Sequence, residues 1–322
     1  MLASCALEQP VRLQPPQAFP AEALQKASGR LAYTGSFSGS RSERRARCSP
    51  QGEESSSDGR KLPQNSLVLQ QLLHLGRTPS EDEVSEILSA ELNNWRENPW
   101  HVTVILNSLA RLRLPLIAKH VLALMLTRSV PANVLHYNAA ISAYGKGGQW
   151  QLALSLLSSM PDISIVPSQV SYNAAISACD KGGQWQLALN LLSRMPDGRV
   201  VPNEITYSAA ISSCSKGGQW QLALNFLRLM PEARVMPNQI TYIAAIGACE
   251  KGGQWQLALR LMRRMPEARL VPDEITHSAA ISASSKGGQW HLALSLLSQM
   301  PEARVVPDRI TYSAAINACH EH

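Results

Sequence analysis

Five lysines, Lys146, Lys181, Lys216, Lys251 and Lys286, head one nonapeptide, KGGQWQLAL or KGGQWHLAL, that returns every 35 residues. A row of cations at fixed intervals, each beside two glycines, suits a row of anions, and phosphate is the first candidate. A nucleotide-binding loop is the sharper chemistry, but it needs GxxxxGK[ST] after a strand, with lysine following the glycines. Here lysine precedes them and no strand pattern is in sight. A lysine that closes a helix also relieves the helix dipole, and that role and a phosphate contact can coexist. Trp150 and its equivalents could stack on bases, yet a tryptophan opening an amphipathic stripe reads as core, because stacking platforms need exposed rings.

Other chemistry finds little support. The chain has no HxE with CxxC deaminase signature, no carboxylate cluster suited to two metals, and no nucleophile and base outside the repeated pattern, so neither catalysis nor a cofactor is expected. Glu204 and Glu274 are repeat positions. His320, Glu321 and His322 are three adjacent residues at a chain end and cannot close a tetrahedral metal site by themselves. Cys179, Cys214, Cys249 and Cys319 share one repeat position with Tyr144 and Ser284, which marks packing; with no CxxC pair, the chain reads as one from a reducing compartment. No apolar run approaches the roughly 18 residues of a membrane span. The net charge of +6 is uneven, with 11 Lys/Arg against 12 Asp/Glu in residues 1–98 and 19 against 12 in residues 99–322. A basic extended surface over the repeats suggests an anionic polymer as partner.

The elements that must position these residues follow from periodicity. Residues 1–61 are rich in Pro, Ser, Gln, Arg and Gly without apolar period, and are expected to be disordered; Arg12, Lys26, Arg30 and Arg41 against only Glu8 and Glu22 in the first 42 residues fit a transit peptide. Residues 62–98 hold a short apolar helix closed by Gly76 and a second helix opened by a capping box, Ser80 with Glu83, a pair that caps or extends the array. From Pro99 the units run 99–133, 134–168, 169–203, 204–238, 239–273, 274–308 and a partial 309–322, the first degenerate. In the copy 169–203, Tyr172, Ala175, Ile176 and Cys179 make the apolar stripe of a first helix, and Trp185, Ala188, Leu189 and Leu192 that of a second. Gly182 and Gly183 supply the positive-φ reversal between them, and Pro196 is expected to stop the second helix near Met195 by pushing that residue out of the α region. One hairpin cannot bury both stripes, so the predicted fold is all-α, an α-solenoid of helical hairpins. The last unit stops after its first helix, which is either an improvised cap or the mark of a truncated gene model.

The unit Y-N-A-A-I-S-A, K-G-G-Q-W, A-L-x-L-L, M-P and a final x-P-[SND] closely resembles the pentatricopeptide repeat of nucleus-encoded organelle RNA-binding proteins, in the plain class built only of 35-residue units, over residues 99–322. A tetratricopeptide repeat would have another period and a W-x2-L-G-x2-Y start, which is absent. The resemblance implies a right-handed superhelix whose groove takes single-stranded RNA, one base per repeat. It implies that the fifth and last residues of a unit read the base edge: Asn138 with Ser168, Asn173 with Asn203, Ser208 with Asn238, Ile243 with Asp273 and Ser278 with Asp308. Thr103 with Asn133 is the weaker pair of the degenerate unit, and Ser313 lacks a partner. It further implies base-sandwiching by Leu135, Val170, Ile205, Ile240, Ile275 and Ile310, and phosphate contact by the five lysines.

These types suit the task independently: an amide offers donor and acceptor together to an unpaired base edge, and a small hydroxyl leaves room for a purine. Ile243 can neither donate nor accept, so its repeat should tolerate any base. The implied preference is A, C, C or U, A, any base, G. The expected function is therefore sequence-selective binding of single-stranded RNA in organelle RNA processing, stabilisation or translation, in the chloroplast in preference to the mitochondrion, with RNA-processing proteins as further partners. The competing reading is a protein-binding helical scaffold whose groove takes a peptide.

Overall fold

The computed structural model describes residues 64–76 and 79–320, so the expected leader in residues 1–61 and the final two residues lie outside the described residues. Three helices come first: α1 Gln64–His74, α2 Glu81–Ser89 and α3 Leu92–Glu97. Ser80 and Glu83 close a reciprocal cap on α2, the Ser80 N–H donating to Glu83 Oε2 at 2.8 Å and the Glu83 N–H to Ser80 Oγ at 3.3 Å. Val84, Leu88 and Trp95 are buried. Through them this segment packs on the first hairpin, α4 Trp100–Leu112 with α5 Pro115–Thr127.

Five hairpins of one design follow: α6 Val134–Lys146 with α7 Trp150–Ser159, α8 Gln169–Lys181 with α9 Trp185–Arg194, α10 Glu204–Lys216 with α11 Trp220–Glu232, α12 Gln239–Lys251 with α13 Trp255–Arg264, and α14 Glu274–Lys286 with α15 Trp290–Gln299. Helix α16 Arg309–His320 ends the described chain. Each first helix starts where an Asn, Ser or Asp side chain accepts the backbone N–H three residues on, as Ser168 does from Ser171 and Asn203 from Thr206. Each ends in a reversal bond, and from α8 on in a pair of them; in α8 these run from Gln184 N–H to Cys179 O at 2.9 Å and from Gly183 N–H to Asp180 O at 3.2 Å, with Gly183 at φ +69°.

First helices stack side by side along the chain, and each second helix packs against the first helix of its own unit and of the next. The result is an α-solenoid in two layers. Its core repeats with the sequence. Ile141, Ile176, Ile211, Ile246 and Ile281 are fully buried, as are Met160, Met195, Met230, Met265 and Met300 from the M-P step and Ala153, Ala188, Ala223, Ala258 and Ala293. Cys179, Cys214 and Cys249 are buried among them.

The KGG turn divides into two roles. The second glycine carries the positive φ, with open space around it. The first glycine has φ near −80° and, at Gly182, Gly217, Gly252 and Gly287, serves instead as a seat for the preceding unit's tryptophan, Pro115 taking that place at Gly147: a Cβ on Gly217 would lie 2.3 Å from Trp185 Cδ1, and one on Gly252 2.3 Å from Trp220 Cδ1. Trp150, Trp185, Trp220 and Trp255 are half-buried in these seats, as wedges between hairpins.

The second helix of the copy 169–203 stops at Arg194, as the proline predicts, but the expected reason needs correction. Met195 keeps α geometry (φ −55°, ψ −45°) although a proline follows, and its equivalents do the same, because the buried methionine side chain fixes it there. The proline instead opens one more turn, a 3₁₀ turn at Pro161–Ile163 and Pro266–Ala268; in α11 the helix runs on through Pro231 to Glu232, with Arg228 paired to Glu232 at 3.2 Å. That last turn closes in reversal bonds as well, Arg199 N–H to Pro196 O at 3.0 Å and Val200 N–H to Met195 O at 2.9 Å. The left-handed position falls on Arg199, Arg234, Arg269 and Arg304, with φ between 57° and 60°, where glycine would be unstrained.

Candidate functional site

The face of each first helix turned away from the core is a short stripe. In α8 it is Val170, Ala174, Ser177 and Lys181, at i, i+4, i+7 and i+11, the ends exposed and the small middle residues half-buried. Every unit repeats the scheme, for example Ile205, Ala209, Ser212 and Lys216, or Ile240, Ala244, Gly247 and Lys251. Stacked side by side, the stripes make a trough floored by small residues. One edge is a row of aliphatic side chains and the other a row of lysines, about 17 Å apart at the rise of an α-helix.

All six aliphatic residues on the first edge are exposed: Leu135 at 46%, Val170 at 59%, Ile205 at 60%, Ile240 at 65%, Ile275 at 60% and Ile310 at 69%. Burial of these side chains would remove apolar surface from water at no packing cost to the fold, so the row is ready for a flat apolar ligand. At Lys181 the neighbouring cations are felt. Burial lowers the Lys181 pKa from the usual lysine value, Lys146 and Arg113 lower it further, and Asp180 raises it against a smaller lowering by Lys216.

Beside the aliphatic row lies a chain of polar side chains that joins neighbouring units. Asn138 is buried; its amide donates to Ser168 Oγ at 3.4 Å and its carbonyl accepts from Ser171 Oγ at 2.6 Å. Asn173 repeats this, donating to Asn203 Oδ1 at 3.2 Å and accepting from Thr206 Oγ1 at 2.6 Å. Ser208 reaches Asn238 through one hydroxyl, with Thr241 Oγ1 2.8 Å from Ser208 Oγ and donating to Asn238 Oδ1 at 2.8 Å. Thr311 links Ser278 and Asp308 in the same way. In the fourth full unit Thr276 bonds only Asp273, because Ile243 offers it nothing. Thr103 and Asn133 are not joined either; His136 takes the bridging position, its Nδ1 accepting the Asn133 N–H at 3.1 Å and its Nε2–H donating to Pro99 O at 2.9 Å. Ser313 is exposed on α16.

The repeated units match known families. The profile described as "PPR repeat family" matches residues 132–181 and 167–216, "Pentatricopeptide repeat domain" matches 260–322, and "PPR repeat" matches 205–235 and 240–270. Together they cover more than half of the chain. The chain belongs to the pentatricopeptide repeat family. Among solved structures, it is similar to the pentatricopeptide repeat protein PPR10 in complex with an 18-nt psaJ RNA element, with TM-score 0.60 and 20% identity over 80% of this chain and 36% of that one. It is also similar to PPR10 from maize, with TM-score 0.51 and 21% identity over 79% of this chain and 39% of that one. At this identity the likeness carries the fold, and the chain spans little more than a third of PPR10. No curated protein sequence matches it.

The pentatricopeptide repeats contain two sets of positioning residues that sequence reasoning passed over. The third residue of each unit, Ser171, Thr206, Thr241, Thr276 or Thr311, is fully buried and bonds the last residue of the preceding unit. Its signal was present: a hydroxyl held beside an apolar stripe in every copy from residue 169 on, His136 standing there in the copy before. The first residue of a unit steadies that unit's own last residue, Gln169 accepting from Asn203 at 3.0 Å, Glu204 from Asn238, and Gln239 donating to Asp273 at 2.6 Å. The Asp308 carboxyl sits below its ordinary pKa, held first by the Thr311 backbone N–H and then by its hydroxyl.

Proposed function

We propose that this pentatricopeptide repeat protein binds single-stranded RNA with sequence selectivity, about one base per repeat, as a member of the class built only of 35-residue units. The observation that carries the reading is the trough itself: an exposed aliphatic residue every 35 residues, an amide or hydroxyl pair beside it, and a lysine at the far end of the same stripe. An unpaired nucleotide has a base with an apolar face and a hydrogen-bonding edge, and a phosphate, and the trough offers each its complement in that order. Asn138 and Asn173 have their carbonyls committed to Ser171 and Thr206 and keep one amide hydrogen each, which favours a base presenting an acceptor on its edge. PPR10, the protein whose fold this chain shares, was crystallised with RNA.

Binding acts by occupancy, covering a site from nucleases, opening a hairpin or recruiting RNA-processing proteins, without catalysis by this chain. An organelle is the setting, the chloroplast ahead of the mitochondrion. Competition binding with single-stranded RNA, duplex RNA and single-stranded DNA tests the proposal. Selective retention of single-stranded RNA is expected; no RNA preference would favour a groove built for a peptide.

A further inference from the structure

The five lysines at the trough's edge share a repeat position but not an environment. The residue 36 places before each lies in the last turn of the preceding first helix: Ala110, Gly145, Asp180, Ser215 and Glu250 in turn. Only two of these are acidic, and both are engaged. Lys216 Nζ donates to Asp180 Oδ2 at 2.7 Å and to the Asp180 carbonyl at 3.1 Å, while Ser213 Oγ donates to the other carboxylate oxygen at 3.4 Å. Lys286 Nζ donates to Glu250 Oε1 at 2.9 Å, and Ser282 Oγ to the same oxygen at 2.6 Å. The acids are the sheltered partners, 14% and 19% exposed against 41% and 52% for the lysines. Lys146, Lys181 and Lys251 face Ala110, Gly145 and Ser215, and make no ion pair among the described residues.

We propose that Asp180 and Glu250 withhold Lys216 and Lys286 from the backbone of a bound strand, so that phosphate is gripped at Lys146, Lys181 and Lys251 only. The inference rests on the reading of the trough as an RNA site. Its physical basis is charge balance rather than the strength of two exposed ion pairs, which is small. A free lysine that meets phosphate releases a counterion from the strand. A lysine that leaves a carboxylate to do so exposes an anion that must recruit a cation, so the exchange gains little, and the uncovered carboxylate then repels the phosphate. The strand is therefore held firmly over units 134–168, 169–203 and 239–273 and loosely over 204–238 and 274–308. A looser backbone leaves each base in those two units freer to seek its own geometry at Ser208 and Asn238, or at Ser278 and Asp308.

The test is the salt dependence of binding by the full chain, using single-stranded RNA that the unaltered chain selects from a random pool. With three phosphate contacts, log affinity against log salt should fall with a slope of about −2, against about −3.5 for five. Lys181→Ala should reduce the slope by about 0.7, and Lys216→Ala by clearly less. In an Asp180→Asn, Glu250→Gln background the slope should steepen by about 1.4, and Lys216→Ala should then cost as much as Lys181→Ala. The lysines are exposed and the two acids partly sheltered, and thermal melts of each variant check that the fold is kept. Equal loss from Lys216→Ala and Lys181→Ala in the native background, or an unchanged slope after both acids are neutralised, would overturn the inference while leaving RNA binding intact. Failure of the unaltered chain to select any RNA is a separate result, visible before any variant is made, and overturns both.

Discussion

Replacing Gly217 by alanine should damage the array at one seam, for a reason different from that of its neighbour Gly218. The added Cβ would stand 2.3 Å from Trp185 Cδ1, 2.6 Å from Cγ and 2.8 Å from Nε1. Carbon atoms settle at about 3.5–4.0 Å, so the ring must retreat by more than 1 Å or the end of α10 must lift away from α9. Overpacking of this kind costs about 1–3 kcal/mol. Gly218→Ala meets no atom within 4 Å but must hold φ +68°, a left-handed strain of about 1–2 kcal/mol. The two costs overlap in size, so the decisive assay is a double-mutant cycle by urea unfolding. In a Trp185→Ala background the Gly217→Ala penalty should vanish, giving a coupling above about 1 kcal/mol, whereas Gly218→Ala should cost the same with or without the tryptophan. Additivity of Gly217→Ala with Trp185→Ala within about 0.5 kcal/mol would refute the seat-and-wedge account.

Three further outcomes follow from the structure. Arg199→Gly, and the same change at Arg234, Arg269 or Arg304, should raise stability by about 0.5–1 kcal/mol per site, relief of left-handed strain outweighing glycine's chain entropy, while Arg199→Ala should gain nothing; thermal melts compare them. Burial lowers the His136 pKa from its usual 6.5, against a smaller opposing effect of the Pro99 carbonyl, so the unfolded chain takes up the proton first as pH falls. Stability should be full above about pH 7 and decline as pH drops below the unfolded value, and His136→Gln should remove that component from urea midpoints measured across the range. Burial pushes the thiols of Cys179 and Cys214 up to about 12 and that of Cys249 to about 11, whereas Cys319 is exposed. With Cys5 and Cys48 changed to serine, a disulfide reagent near pH 8 should titrate Cys319 at once and the other three only on unfolding.

The hairpin architecture was legible because its determinants are local. A capping Asn, Ser or Asp, an i/i+4 apolar stripe and a Gly-Gly stop lie within one unit, and the 35-residue period shows them several times over. What crosses from unit to unit was not legible. The wedge of Trp185 on Gly217, the bridge of Thr206 between Asn173 and Asn203, and the clasp of Asp180 on Lys216 join residues 30 to 36 positions apart. A period states that positions are equivalent, but not which position of one unit touches which of the next. The strained arginines were hidden for a related reason: only the stop after the methionine, kept helical by its own burial, places the left-handed turn on them rather than on Gly198.

The central claim is that one pair of side chains per unit reads one base. Asn138→Ser with Ser168→Asp tests it directly, and the fold should accept both changes, since Ser208 already bonds a bridging hydroxyl from that position and Asp273 already caps a first helix. Random-pool RNA selection on the unaltered chain and on this variant should give two motifs that differ at a single position, moving from C toward G as in the unit ending at Asp308. Two identical motifs, or none in either selection, would contradict the account.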